Sequence, residues 1–372
     1  MRILLVGAVD PWTRSVATIH KYVEWGRILG HDISVYGYGN PELPRLPFTT
    51  DVGGVYVAIF LVQVPSDFPA MPGLARIMDQ LPREKRVVVD LWGRYNETVR
   101  LDHDFNHLEK FDNHPAWEWI DAIDSLSDTV LQPALAPRRD DVRSFLFHGF
   151  DPGAIAGNHV SAQDAAAAWL KAGRAEKPYG LVYVGSNWQR WTQVRRLLED
   201  YRDVRERVGQ FCLAGWDWSQ RPAWAVEMGL KGIDTDPELL ADLGVEIRQG
   251  IRFDQIVDLV GQGRFAPILH RPLFRELGLV TNRSFETFYA DSIPVLMLPQ
   301  DFVVSIYGHA ASKLVPGEHL AAHLSAVMDD PEPYWDALLK TRQHLAEHHS
   351  YRNRFRQLEG LLANREACGA GP

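Results

Sequence analysis

The second half of the chain places two arginines where they could bind a phosphate group. The apolar run FAPIL is typical of a strand, and it ends at His270 and Arg271. In VYVGSNWQRW, Gly185 permits a close turn after another strand and Asn187 supplies an amide, while Arg190 begins a helix. The carboxyl ends of parallel strands meet at one edge of a sheet, where ligands bind. The planar fork of an arginine matches phosphate oxygens there.

A carboxylate follows in the segment TNRSFETFYA. Asn282 or Ser284 can cap a helix that begins near Phe285. Glu286 then lies in the first turn, beside backbone N–H groups that have no partner within the helix. Those N–H groups can bind phosphate oxygens, and the carboxylate can accept both hydroxyls of a ribose. A glutamate in a first turn also simply complements the helix dipole, so both interpretations stay open.

In the first half, RVVVDLWGRYN places Asp90 at the tip of an apolar strand, with Arg94 just beyond it. A carboxylate at the end of a buried strand is costly unless it is paired or used in chemistry. Asp90 could accept the proton of an attacking hydroxyl group. Alternatively, it caps the following turn or pairs with Arg94.

The turn after the first strand, GAVDPW, contains Gly7, Asp10 and Trp12. A dinucleotide-binding turn needs G-x-G-x-x-G, whereas Val9 stands where the second glycine should be. The sequence therefore does not predict a dinucleotide cofactor. We expect a tight turn into a helix at the ligand-facing edge of the sheet.

Two polar clusters look like metal sites, and both have simpler explanations. The DTD at residues 234–236 precedes Pro237, so we predict that Asp236 is the N-cap of a helix rather than a metal ligand. The second cluster, LDHDFNHLEKFDNH, contains three histidines: His103, His107 and His114. It lacks a buried strand that would hold the ligands in place, which favours a surface loop. We expect no metal site.

Short aliphatic runs separated by helical patterns must position these residues. The first half contains RILLV, DISVYGY, GVYVAIFLV and RVVVDLW, and the second contains LVYVG, QFCLAGW, GVEIRQG, FAPILH and IPVLML. This alternation predicts an α/β fold with parallel sheets covered on both faces. A Gly-, Pro- and Ala-rich segment interrupts it, so we predict two Rossmann-like, doubly wound domains. The predicted divisions are an N-terminal domain at residues 1–152, a linker at 153–177, a C-terminal domain at 178–335 and a final helical segment at 336–372.

The composition excludes several classes of protein. The chain has 372 residues, with 39 lysines and arginines against 48 aspartates and glutamates, a formal net charge of −9. Proteins that bind nucleic acid without reading its sequence need a stripe of basic residues that replaces the counterions of the phosphates. This chain lacks such a stripe, so we predict that it does not bind nucleic acid in that way. Cys212 and Cys368 are too few and too far apart for a disulfide framework. We find neither a signal peptide nor the ~18 apolar residues of a transmembrane helix, and we expect a cytoplasmic protein.

Three blocks of the second half, taken in order, resemble one family of enzymes. They are TNRSFETFYADSIPVLMLP, KLVPGEHLAAHLSAVM and HLAEHHSYRNRFRQLEGLL. They are similar to the donor domain and terminal helix of GT-B glycosyltransferases, most closely the spore-maturation-protein-like branch of the retaining-type superfamily. VYVGSNWQRW, SDTVLQPA and FLFHGFDP add matches, so the resemblance covers nearly the whole chain. It implies two domains facing a central cleft and a C-terminal helix that returns to the N-terminal domain.

The resemblance also implies an activity. It is the metal-independent transfer of a sugar from a UDP-, GDP- or dTDP-sugar to an acceptor such as a small molecule, a glycan or a peptide. Glu286 would hold the donor ribose, and Arg190 and Arg271 would neutralise the departing diphosphate. Other donor-side residues would be Gly185, Asn187, His270, Asn282, Ser284 and Phe285. The acceptor side would comprise Gly7, Asp10, Trp12 and Arg94, with Asp90 as the candidate base.

One position departs from the family pattern. Many retaining relatives carry a second glutamate eight positions before the donor-site glutamate, where this chain has Gly278. The carboxylate that orients the sugar is therefore missing, which leaves the donor sugar and the stereochemical outcome open. Two alternatives remain, a nucleotide-sugar epimerase of the same fold and a catalytically inactive nucleotide-binding protein.

Overall fold

The computed structural model describes residues 1–12, 15–62, 74–96, 116–157, 159–227 and 232–369. Within these residues, seven parallel strands form the first sheet: β1 (Arg2–Val6), β2 (Asp32–Tyr36), β3 (Phe48–Thr49), β4 (Val57–Val62), β5 (Arg86–Asp90), β6 (Val130–Gln132) and β7 (Val142–Ser144). Their order is β3-β2-β1-β4-β5-β6-β7. Every residue of the central strand β4, VAIFLV, is buried, as is typical of a parallel sheet with both faces covered.

The described part of the second half contains a second sheet of five parallel strands. They are β8 (Tyr179–Val184), β9 (Phe211–Ala214), β10 (Glu246–Arg248), β11 (Gly263–Ile268) and β12 (Ile293–Leu296). Their order, β10-β9-β8-β11-β12, reverses direction at β8, which is the topology of a doubly wound half. The predicted α/β fold with two Rossmann-like halves is confirmed. The divisions between domains stay a prediction.

Helices connect the strands and close the chain. Those of the first half are α1 (Val16–Ile28), α2 (Leu74–Gln80) and α3 (Ala116–Leu126). The later ones are α4 (Ala162–Lys171), α5 (Trp191–Arg202), α6 (Arg205–Val208), α7 (Ala223–Glu227), α8 (Pro237–Asp242), α9 (Ile256–Gly261), α10 (Pro272–Glu276), α11 (Arg283–Glu286), α12 (Gln300–Tyr307), α13 (Leu320–Asp329), α14 (Glu332–His348) and α15 (Tyr351–Gly369). Short 3-10 segments lie at Arg83–Lys85, Pro152–Ala154, Phe253–Gln255, Thr287–Tyr289 and His309–Leu314. None of the described helices is long and apolar enough to cross a membrane.

The segment predicted as a linker contains the packed helix α4. Ser161 caps it by accepting a hydrogen bond from the backbone N–H of Asp164, and the alanine-rich run that follows favours a helix. Trp169 on this helix is buried in the core of the second half. The glycines and prolines around α4 suggested a break, but its buried tryptophan ties the segment to the second half.

The final helical stretch is two helices, with a break between α14 and α15 at residues 349–350. At this break the chain pairs with the segment that leaves the first half. The backbone N–H of Phe150 donates to the carbonyl of His349 at 2.8 Å, and that of Tyr351 donates to the carbonyl of Phe150 at 3.3 Å. The two passages of the chain between the halves therefore run side by side.

The last helix, α15, packs on the first half, as the family resemblance implied. Tyr351, Phe355 and Leu358 belong to the same buried core as strands β1 and β4. The Phe355 ring stacks on His31 with centroids 5.1 Å apart and lies 5.3 Å from the Tyr22 ring of α1. The end of the chain thus completes the core that begins with β1.

The two halves also meet directly along an apolar seam beside β6. The seam consists of Trp92, Ala134, Leu273, Phe274, Leu277 and Leu279. Val280 donates its N–H to the carbonyl of Pro133 at 2.7 Å, which joins the two halves at this point. Gly93 has φ +71°, and a Cβ there would lie 2.4 Å from Leu277. A side chain at Gly93 would therefore strain the backbone and push the halves apart.

Replacement of Phe355 by alanine is expected to lower the free energy of unfolding by about 3–5 kcal/mol, because it leaves a cavity in the core that α15 shares with α1. Urea unfolding followed by tryptophan fluorescence would measure the loss. Arg352→Ala, an exposed position on the same helix, is the matched control and should change little. Equal stability of the two variants would show that α15 adds nothing to the first core.

Candidate active site

A cleft of about 650 Å³ lies between the carboxyl edges of the two sheets. Its first wall contains residues from the segments after β1 and β5, among them Trp12 and Trp92. Its second wall contains residues that follow β8, β9 and β11, among them Gly185, Trp216 and His270. The strand-end positions singled out in the sequence therefore converge on one cleft, because all strands of each sheet run in the same direction.

Two glycine-containing loops form the floor of the second wall. Gly215 has φ +140°, and a Cβ there would lie 2.3 Å from the carbonyl oxygen of Gly185. The loops after β8 and β9 thus pack backbone against backbone. Asn187, predicted as a ligand contact, is fully buried, and its Nδ2 donates to the carbonyls of Asp217 and Asp234 at 2.9 Å each. Its amide braces these loops.

Arg190 lines the second wall as predicted, at the start of α5. Its Nη1 donates to the carbonyls of Ser186 and Trp188 at 3.0 and 3.3 Å, so the backbone of its own loop holds the guanidinium in place. His270 lines the same wall. Burial, with the positive charge of Arg190 as a second cause, lowers the pKa of His270 to about 3, so this imidazole is neutral.

Arg271 does not line the cleft, in contrast to His270 beside it. Its guanidinium lies between the rings of Trp92 and Phe274, 4.1 and 3.9 Å from their centroids, and the residue is 1% exposed. Cation–π contacts of this kind stabilise a desolvated arginine by about 2 kcal/mol. Trp92 and Phe274, the two rings that hold this cation, themselves line the cleft. The predicted phosphate ligand is therefore part of the seam between the halves in this arrangement.

The Glu286 carboxylate lies in a polar cluster at the second wall. Asn282 Nδ2 donates to Glu286 Oε1 at 2.6 Å, and Arg283 Nη1 donates to Oε2. Arg283 Nε also donates to the carbonyl of Val184 at the end of β8, at 3.1 Å. Glu286 is only 5% exposed, whereas Asn282 and Arg283 line the cleft. A ligand would reach the carboxylate by taking the place of Arg283.

The helix that carries Glu286 begins at Arg283, directly after Asn282, which is one of the two cap positions that the sequence offered. The side chain of Asn282 bonds Glu286 instead of capping the helix. Ser284 is buried, and its Oγ accepts a hydrogen bond from the N–H of Thr281 at 3.1 Å. Phe285 is also fully buried. Of these predicted donor contacts, Asn282 reaches the cleft, while Ser284 and Phe285 hold α11 in the fold.

On the first wall, Trp12 is 42% exposed at the cleft, and its backbone N–H donates to Asp10 Oδ1 at 2.9 Å. Asp10 thus closes the turn that presents Trp12. Gly7 lies behind it, against Leu61 of β4. Arg94 is 2% exposed and has its guanidinium 5.4 Å from the centroid of Trp92. Trp12 is the one of these four acceptor-side predictions that lines the cleft.

Asp90 is fully buried and has the geometry of a turn cap. Its Oδ1 accepts from the N–H of Trp92 at 3.2 Å. Its Oδ2 accepts from the N–H of Tyr95 at 2.7 Å and from Gln132 Nε2 at 2.9 Å. Both oxygens are thus engaged, and Asp90 is not among the residues that line the cleft. The sequence allowed two roles for Asp90, a catalytic base or a cap of the following turn, and the observed hydrogen bonds are those of a cap.

The predicted cap at Asp236 is confirmed, since its side chain accepts from the N–H of Leu239 and Pro237 begins α8. Asp234 pairs with Arg221 at 3.0 Å. The cluster at His103, His107 and His114 lies outside the described residues. Across the described ranges, no three His, Cys, Asp or Glu residues are grouped so that they could hold a metal ion. Metal independence stays a prediction.

Sequence reasoning missed two residues of the second wall. Trp216 is 41% exposed in the cleft, and Gly250 lies under its ring. The rule applied to the other strand ends would have found it, because it follows QFCLAG directly. Arg283 was also missed, although its position three residues before Glu286 is the spacing of a helical ion pair.

Replacement of Asp90 by asparagine is expected to destabilise the fold by about 2–3 kcal/mol, because an NH₂ group would face a buried N–H donor. Thermal unfolding would measure this. Asp128→Asn, at an exposed carboxylate paired with Arg83, is the control and should change little. Unchanged stability together with lost turnover would instead favour the role of base.

Buried neutral histidines predict that acid destabilises the fold. Burial lowers the pKa of His148, His270 and His349 to about 3 each, well below the usual value of 6.5. The unfolded chain therefore binds more protons, and stability is lost as the pH falls from about 6.5 towards 3. His270→Gln should flatten this slope in urea unfolding between about pH 7 and pH 5, whereas the exposed control His309→Gln should not. If His270→Gln left the dependence of stability on pH unchanged, the assignment of His270 as a buried neutral histidine would be wrong.

No family model and no curated protein matches this chain. Solved structures do match it over its length. An alpha-glucosyltransferase in complex with UDP and a 13-mer DNA containing a central A:G mismatch is 11% identical, with a TM-score of 0.59 over 98% of this chain and 100% of that chain. An alpha-glucosyltransferase in complex with UDP-glucose and DNA containing an abasic site is 11% identical, with 0.59 over 98% and 99%. An alpha-glucosyltransferase with UDP is 11% identical, with 0.58 over 98% and 100%. At this level of identity the similarity establishes the architecture: the chain has the GT-B fold.

Proposed function

We propose that this chain is a glycosyltransferase that moves a sugar from a nucleoside diphosphate sugar to an acceptor bound in the cleft. The observation that carries the proposal is the second wall, where Arg190 and Arg283 line one cavity at the ends of parallel strands and Arg283 covers the Glu286 carboxylate. The fold shared with UDP-bound glucosyltransferases supports the same conclusion. The cleft volume of about 650 Å³ lies in the range of cavities that bind small molecules, and it fits a nucleoside diphosphate sugar.

Two guanidinium groups suit the leaving diphosphate. Arg190 and Arg283 both line the cleft, one at the loop after β8 and one beside the last residue of β8. Negative charge grows on the diphosphate as the bond to the sugar breaks, and fixed cations stabilise that charge without reorganisation. We assign this role to Arg190 and Arg283. Arg271 would join them only if Trp92 moved aside.

Glu286 suits the ribose of the donor. Its two oxygens accept hydrogen bonds from Asn282 and Arg283 in this structure, and the carboxylate has further lone pairs, so two ribose hydroxyls can bind in place of Arg283 while Asn282 stays bonded. Binding would then release Arg283 from Glu286 towards the diphosphate. One exchange of partners would thus serve both parts of the nucleotide.

The acceptor belongs on the first wall, near Trp12 and Trp92, whose aromatic faces suit a sugar ring or another flat group. The solved glucosyltransferases hold DNA, whereas the net charge of −9 led us to predict no grip on nucleic acid here. DNA therefore belongs in an acceptor panel, beside small molecules, glycans and peptides.

A nucleotide is expected to raise the melting temperature of this protein by several degrees, because it binds only the folded state. We would screen UDP, GDP, dTDP and their sugars with and without EDTA. Glu286→Ala and Arg190→Ala should each lose most of the shift. The matched controls are the exposed positions Glu199→Ala and Arg196→Ala on α5, which should keep it.

The outcomes separate the proposals. A shift of the melting temperature that persists in EDTA supports metal independence. A shift that appears only with a divalent ion would contradict metal independence. The absence of any shift would overturn the nucleotide site. A shift without sugar transfer to any acceptor, or to water, would favour the binding protein, and a product formed from the donor alone would favour the epimerase.

A further inference from the structure

A continuous chain of polar side chains crosses from the donor wall to the first half of the protein. It begins at Glu286, whose Oε1 accepts from Asn282 Nδ2 at 2.6 Å. Asn282 Oδ1 lies 3.0 Å from the hydroxyl of Thr18 on α1. The same hydroxyl lies 2.9 Å from Nδ1 of His148. We call Glu286, Asn282, Thr18 and His148 the relay.

The direction of every hydrogen bond in the relay follows from its first member. A carboxylate only accepts, so Asn282 must present its NH₂ group to Glu286 and its oxygen to Thr18. The Thr18 hydroxyl has one proton, and it donates that proton to Asn282. Its oxygen must then accept from His148, which places the imidazole proton on Nδ1. Nε2 of His148 consequently carries a lone pair.

The surroundings of His148 keep the imidazole neutral. Burial lowers its pKa to about 3, and the positive charge of Arg354 adds to the effect. Arg354 Nε donates to the carbonyl of His148 at 2.8 Å, so this charge is fixed beside the ring. Tyr351 contacts Thr18 as a phenol, because burial raises its pKa far above the usual value. It can donate to the second lone pair of the Thr18 oxygen, which leaves the relay intact.

His148 lies on the wall of the cleft although it is almost fully buried. A neutral nitrogen with a lone pair attracts an O–H group and repels phosphate oxygens and carbonyls. We propose that His148 Nε2 accepts a hydrogen bond from a hydroxyl group of the ligand in the cleft, and that Thr18 and Asn282 are positioning residues that hold the required tautomer. This inference rests on the proposed function. It gives the wall opposite the cations a preference for hydroxyls over the diphosphate.

The hydroxyl belongs either to the sugar being transferred or to the acceptor. In both cases His148 binds and orients it as a neutral group, without taking up its proton. Glu286, on the donor side, then fixes the protonation pattern of a histidine on the other side of the cleft. The relay explains why Thr18 is completely buried although its side chain is polar.

The tautomer can be read directly in the full chain labelled with ¹⁵N-histidine, from two-bond ¹H–¹⁵N correlations. We expect His148 to carry its proton on Nδ1, and we would assign its signals by their loss in His148→Asn. Thr18→Val should convert the signals to a mixture of tautomers, whereas Thr18→Ser, which restores the hydroxyl, should keep the pattern of the wild type. A proton on Nε2 in the wild type would overturn the relay.

His148→Asn tests the ligand contact, because the asparagine amide can still donate to Thr18 but has no group at the place of Nε2. Its affinity for UDP should stay within about twofold of the wild type. A loss of about tenfold in affinity for UDP-glucose would assign the hydroxyl to the donor sugar. Unchanged affinities with about tenfold slower hydrolysis of UDP-glucose would assign it to the acceptor, for which water stands in.

The two proposals fail in different ways. If the wild type binds UDP-glucose and His148→Asn changes neither affinity nor hydrolysis, the ligand contact is wrong and the proposed function stands. If the wild type binds none of UDP, GDP, dTDP and their sugars, the proposed function fails and the ligand contact fails with it. If it binds another of these nucleotides instead of UDP, the same comparison is made with that nucleotide and its sugar. The tautomer experiment needs no ligand, so it tests the relay in either case.

Discussion

The apolar seam between the two halves holds together the two walls of the cleft that carry the candidate ligand contacts. Trp92 and the β6 side of the first half meet Phe274, Leu277 and Leu279 of the second, and a main-chain hydrogen bond from Val280 fixes the register. With the seam closed, Arg271 is held between two aromatic rings, and Thr18 comes within hydrogen-bonding distance of Asn282. Neither the contact of Arg271 with Trp92 nor the bond of Thr18 to Asn282 exists within one half alone.

The sequence was sufficient to predict the architecture and the edge at which the site lies. Strand runs such as VAIFLV are apolar throughout, which only a sheet covered on both faces explains. Once the strands are parallel, residues after their ends share an edge, and Arg190 and His270, which follow two such ends, both line the cleft. Helix α4 was missed because glycines and prolines flank it, although Trp169 in its middle is a core residue.

The roles of individual side chains were harder to predict, because they depend on partners that are distant in sequence. Asp90 at a strand tip is compatible with a base or with a cap, and only the positions of Tyr95 and Gln132 favour the cap. Arg271 follows the end of β11, but its guanidinium packs on Trp92 from the other half. In the sequence, His148 stood only within the matching block FLFHGFDP and was given no role in the site, since its partner Thr18 lies on α1 and the rest of the relay lies in the second half.

The pairing of Phe150 with His349 and Tyr351 has a mechanical consequence. A protein with one connection between its halves can swivel and twist about that connection. Two connections that are hydrogen-bonded side by side act as a hinge. The halves can rotate about the line through the two connections, and they resist other motions. A single angle then describes how wide the cleft stands.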